Sequence, residues 1–136
     1  MSVLAIVEHP ALDAVRDGAH EALAEAGYKE GENLKWQYQS AQGNNATAAQ
    51  IARKFIGDKS DVIIGIATPT AQAVVAATKT IPVVFSAVTD PVAAKLVPSW
   101  DASGTNVTGV SDVLSLEKQM DLVKQVVPDA KRVGMV

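Results

Sequence analysis

The stretch Asp61 to Pro91, DVIIGIATPTAQAVVAATKTIPVVFSAVTDP, limits most severely what this chain can fold into. It holds two apolar runs, Val62–Ala67 and Val83–Val88, that are continuous rather than alternating. Such runs suit strands buried on both faces of a parallel sheet. Thr68-Pro69 follows the first run and Thr89-Asp90-Pro91 the second. A hydroxyl or carboxylate before proline is a helix start: the side chain caps free amides, and proline suits the first helical position. Both turns therefore lie at the carboxyl ends of their strands. In open α/β sheets that edge is where ligands bind.

The rest of the chain repeats the pattern. Ser2–Val7 reads as a buried strand, followed by Glu8-His9-Pro10 and a helix with Leu12, Val15, Ala19, Ala22, Leu23 and Ala26 on one face, closed by Gly27. Leu34, Trp36 and Tyr38 alternate with polar residues, as in an edge strand. Asn residues in Gln42–Asn45 cap a helix over Thr47–Asp58 that turns Ala48, Ile51, Ala52 and Phe55 inward. Another helix, Thr70–Lys79, joins the two central strands. Pro91–Val97 suits a short helix, Val107–Val110 a fifth strand, Ser115 the cap of an amphipathic helix over Leu116–Val127, and Arg132–Val136 a sixth strand. Alternating β and α elements predict an α/β fold with a flavodoxin-like parallel sheet of order 2-1-3-4-5. The last strand opens a new βα unit and stops, so the chain is expected to be a fragment or to be completed by a second copy of itself.

Composition excludes several functions. With no cysteine, disulfides, thiolate metal sites and thiol nucleophiles are absent. Twelve basic and 15 acidic residues, well mixed, give no basic stripe for nucleic acid or anionic membrane. No apolar run approaches a membrane span of roughly 20 residues. The amino terminus enters a strand without a secretion signal, so the chain is either cytoplasmic or the product of signal removal. No G-x-S-x-G elbow, dinucleotide fingerprint or Walker lysine loop is present, and no base, nucleophile and orienting acid assemble from the turns. No catalysis and no cofactor are expected.

The candidate site residues are Glu8, His9, Thr68, Pro69, Thr70, Thr89 and Asp90, at three strand ends on one edge. Thr68 and Thr70 offer hydroxyls beside the free amides of a helix start, which attract a carboxylate. Glu8 and Asp90 can take an ammonium group, and His9 can hydrogen-bond or stack on a ring. For Thr68 and for the Thr89-Asp90-Pro91 turn, helix capping alone is the competing reading. His9 with Asp13 is too sparse a set for zinc. Trp36 reads as a sheet-face packing residue, and loop residue Trp100 as a lobe or partner contact.

The segments VEHPALDAVRDG, NLKWQYQSAQGN, IGIATPTAQAV, IPVVFSAVTDPVAAKLV, NVTGVSD and PDAKRVGMV together resemble the amino-terminal half of ABC-transporter substrate-binding proteins of the tryptophan/aromatic amino-acid type. The resemblance implies one Rossmann-like lobe of a two-lobe, periplasmic-binding-protein-like molecule that closes on a small amino acid. Residues 1–112 would form the first lobe, with a hinge near Ser111–Leu114, and residues 113–136 the start of a truncated second lobe. It further implies an extracytoplasmic location and an ABC permease as partner. A homodimer that exchanges Leu116–Val136 is expected instead from the unfinished last strand. A flavodoxin-like enzyme, a receiver-type signalling domain or a ligand-free assembly module shares the topology. The receiver is disfavoured because the third strand ends Ala67-Thr68, without an aspartate.

Overall fold

The computed structural model describes residues 1–134. Five strands, β1 (Ser2–Ala5), β2 (Gln37–Ser40), β3 (Ile63–Ile66), β4 (Val83–Val88) and β5 (Val107–Ser111), form one parallel sheet of order β2-β1-β3-β4-β5. This is the expected α/β order. The helices are α1 (Pro10–Glu25), α2 (Asn45–Gly57), α3 (Thr68–Ala77) and α4 (Leu116–Val126). None is long and apolar enough to cross a membrane.

The sheet buries its two faces unequally. On one, α2 and α3 cover Leu4, Ile63, Val83 and Phe85, with Ala48, Ile51, Ala52 and Phe55 of α2 facing in as expected. Full burial of a side chain the size of Phe55 or Leu4 contributes about 1.5–3 kcal/mol. On the other face α1 packs Leu12, Val15 and Ala19 over Val3, Ala5, Ile64 and Ile66, beside Trp36 and Tyr38. No residue of α1 is fully buried, and Ala22 and Ala26, expected on its packed face, are exposed. The helix ends in a Schellman turn: Tyr28 N–H donates to Leu23 O at 2.8 Å, Gly27 N–H donates to Ala24 O at 3.1 Å, and Gly27 takes a φ of 94°.

Several expectations fail for tertiary reasons. Thr68 does not cap α3, because the helix starts a residue earlier with Ala67 at the N-cap position. Pro91–Val97 forms one turn, not a helix. Asp90 Oδ1 caps it by accepting from Val92 N (3.0 Å) and Ala93 N (2.9 Å), and Lys95 at a φ of 59° ends it. Ser115 caps α4 as foreseen, its hydroxyl accepting from Lys118 N at 3.3 Å. The helix nevertheless buries none of its residues. In the expected sixth strand, residues 132–134 form no strand, and its last two residues lie outside the described residues.

Candidate functional site

Because every strand pair is parallel, the turns after β1, β2, β3 and β4 all open on the carboxyl edge of the sheet. Backbone bonds fasten these turns to one another. Ala41 N–H donates to Ala5 O (2.9 Å), Gly43 N–H to Ile6 O (2.7 Å), Ala67 N–H to Ser86 O (2.9 Å) and Asp112 N–H to Val88 O (3.1 Å). Ser111 Oγ donates to Thr89 O at 3.0 Å, tying the end of β5 to the turn after β4.

The β3–α3 junction is the most constrained part of this edge. A Cβ added to Gly65 would lie 2.9 Å from Ala71 Cα and 3.1 Å from Ala71 N, so only glycine lets α3 settle this low on β3. The chain must then turn within one residue. Ala67 does so at φ 78°, ψ 157°, a conformation that costs a non-glycine residue on the order of 1–3 kcal/mol. Its carbonyl accepts from Ala71 N at 3.1 Å and from Thr70 Oγ1 at 2.9 Å. No side chain caps α3, and Pro69 in its first turn has no N–H. Thr68 and Pro69 are half-buried, which keeps part of Thr68 at the rim.

Thr70 is placed differently from Thr68. It has 0% exposure, and its hydroxyl donates to the carbonyls of Ile66 and Ala67. It holds the turn together from below and has no surface at the edge. Sequence reasoning also missed Gly65 and Ala67 as the residues that shape the turn. A glycine inside an apolar strand just before a turn was the available signal.

Glu8, His9, Thr89 and Asp90 are exposed on the same edge. His9 is the N-cap of α1, with Nδ1 accepting from Ala11 N at 3.2 Å. That bond places the proton of the neutral ring on Nε2, which makes no hydrogen bond among the described residues. One oxygen of Asp90 is occupied in capping its own turn. Glu8 enters no ion pair among the described residues. No group of three metal-ligating side chains occurs among the described residues.

Behind this rim, the first turns of α1 carry a polar cluster over β2. Arg16 stands 3.5 Å from Asp13 Oδ1, its Nε donates to Asp17 Oδ1 at 2.8 Å, and its guanidinium lies 4.8 Å from the centroid of the Tyr38 ring. Tyr38 Oη and Asp13 Oδ1 are buried without a hydrogen-bond partner. Burial pushes the Tyr38 phenol above its ordinary value. Hydrogen bonding to Arg16 holds the Asp17 carboxyl below its own.

Two concavities lie away from this edge. A cleft of about 1240 Å³ lies between the 28–37 loop, Met1 and Ser60, and a groove of about 430 Å³ lies between α3 and the 91–98 turn. None of the seven candidate site residues lines either one.

Comparison with known proteins converges on one family. The family model described as ABC transporter substrate binding protein matches residues 1–136. A tyrosine-binding protein of Clostridioides difficile (strain R20291) is 49% identical over 131 residues, covering 96% of this chain and 38% of that protein. A conserved domain protein from Vibrio cholerae superposes with a TM-score of 0.94 at 57% identity, over 96% of this chain and 44% of the other. A domain from Streptococcus pneumonia in complex with L-Trp superposes with a TM-score of 0.87 at 38% identity, over 94% of this chain and 43% of the other. The chain thus spans less than half the length of each of these relatives. With a parallel sheet in the order β2-β1-β3-β4-β5 and a family match along its whole length, the chain belongs to the ABC-transporter substrate-binding proteins.

Proposed function

We propose that this chain is the amino-terminal recognition lobe of an ABC importer's solute-binding protein, and that it takes the carboxylate of an aromatic amino acid at the start of α3. The observation that carries the reading is the uncapped first turn of α3, with Thr68 at the rim and no side chain over its amides. First-turn amides have no intrahelical partner, and together with the helix dipole they favour an anion by about 0.3–1 kcal/mol at an exposed site. Thr68 supplies an amide and a hydroxyl, while Pro69 and the buried Thr70 fix the shape of the turn. Glu8 and the free oxygen of Asp90 receive the ammonium group, and Thr89 and His9 Nε2 complete the polar rim. The relatives named for tyrosine and solved with L-Trp support an aromatic side chain on the ligand. The chemistry is recognition without catalysis.

Residues 1–112 form the lobe, Ser111–Leu114 the hinge, and residues 113–136 the start of a second lobe. The working location is extracytoplasmic, beside an ABC permease. Alone, the chain pairs with a second copy through its carboxyl-terminal segment, where Leu114, Leu116, Leu122 and Val126 are exposed. The edge supplies one wall of a site that normally buries most of its ligand, so the isolated lobe binds weakly. Calorimetry with L-tryptophan, L-tyrosine and L-phenylalanine tests the reading. Weak binding, millimolar in order, fits a half-site, whereas micromolar or tighter binding by the monomer contradicts it.

A further inference from the structure

The Thr89–Asp90 turn, where one half of the proposed ammonium contact lies, is fastened to the end of β5. Between the pairs Phe85–Gly109 and Val88–Ser111, β4 carries one residue more than β5. The extra residue makes a bulge, within which Ala87 takes a φ of 53°, a left-handed conformation uncommon for alanine. Both ends of the bulge are pinned. A Cβ on Gly109 would lie 2.2 Å from Phe85 O, so the strands close tightly before it, and beyond it Val88 is buried in the core with 0% exposure. Unbroken pairing from Phe85–Gly109 would set Ala87 opposite Ser111. The bulge sets Val88 there instead and draws Thr89 back within reach of the Ser111 side chain.

Ser111 Oγ is used twice. It accepts from Val113 N at 3.2 Å and donates to Thr89 O at 3.0 Å. A hydroxyl carries one proton, so accepting from its own segment leaves that proton for Thr89 and fixes the direction of the side chain. Asp112 N–H donates to Val88 O alongside, at 3.1 Å. The next residue, Asp90, is held from its other side, where Oδ1 accepts from Val92 N and Ala93 N. Asp90 enters no ion pair among the described residues. We infer that Ser111 is a positioning residue for the ammonium end of the site: it touches no ligand, and its hydroxyl sets the turn that aims the second oxygen of Asp90. The inference rests on the proposed ammonium contact with Glu8 and Asp90 and adds the residue that orients one of the two.

Chemical-shift titrations of the 15N-labelled chain test this with L-tyrosine, with tyramine, which lacks the carboxylate, and with desaminotyrosine, which lacks the ammonium group. Circular dichroism confirms the folding of Ser111→Ala and Ser111→Thr. In Ser111→Ala the dissociation constants of L-tyrosine and tyramine rise about threefold, the scale of one hydrogen bond, while that of desaminotyrosine stays unchanged. Ser111→Thr keeps the hydroxyl and returns both constants to the wild-type values. Weakening of all three probes alike, of none of them, or without rescue by threonine overturns the positioning role of Ser111 alone. A wild-type chain whose Glu8 and Asp90 amides ignore tyramine overturns the ammonium contact, and the role of Ser111 with it.

Discussion

Gly65 on β3 and Ala71 on α3 are in contact so close that a single added methyl would stand 2.9 Å from the Ala71 Cα. The low seat of α3, the abrupt turn at Ala67 and the uncapped amides at Thr68 all follow from that approach. Gly65→Ala is therefore expected to cost about 1–3 kcal/mol of stability, as overpacking in a rigid core does. Urea denaturation measures it as a lower midpoint at unchanged slope.

Asn44 caps α2 by accepting from Thr47 N at 3.0 Å. Asn44→Ala is expected to lose about 1 kcal/mol, and Asn44→Gly only a few tenths. Thermal unfolding of the two variants side by side separates the cap from a general loop effect.

Tyr38 carries a buried hydroxyl that makes no hydrogen bond of good geometry, although the Arg16 guanidinium beside it offsets part of its burial. A buried, unsatisfied polar group is a liability of about 1–3 kcal/mol, so Tyr38→Phe is expected to be neutral or stabilising. The phenol's folded pKa is raised by burial, so the folded state holds its proton longer than the unfolded chain. Stability from this group is complete below the unfolded value and falls as pH rises through the folded one. Stability profiles above pH 10 should therefore decline less steeply in Tyr38→Phe than in the wild type.

Asp58 behaves with the opposite sign. Its carboxyl accepts from Lys54 Nζ at 2.8 Å, and that bond lowers its pKa. The contribution is present above the unfolded carboxylate value and disappears as pH falls through the folded one. Lys54→Met should lower neutral-pH stability only slightly, because the pair is exposed, and flatten the acid limb by the same small amount.

The parallel sheet was legible because Val62–Ala67 and Val83–Val88 are continuous apolar runs that suit strands covered on both faces, and its order because β and α elements alternate along the chain. The inward set of α2 and its asparagine cap were legible because they depend on local periodicity and local hydrogen bonds. The start of α3 was not, because Ala67 adopts its conformation in answer to a contact between Gly65 and Ala71 across the sheet–helix interface. Nor could the sequence distinguish Thr68 at the rim from Thr70 beneath it, two residues of one type in one turn. The exposure of α4 was equally hidden, since an amphipathic pattern records that a helix has an apolar side and not what covers it.

The most direct measurement is a chemical-shift titration of the 15N-labelled chain with L-tyrosine. The amide of Thr68 should move most, accompanied by Glu8, His9, Thr89 and Asp90, with a dissociation constant in the millimolar range. Shifts confined to the 28–37 loop or to the groove beside Lys79, with Thr68 unmoved, would contradict the claim that the start of α3 receives the ligand's carboxylate.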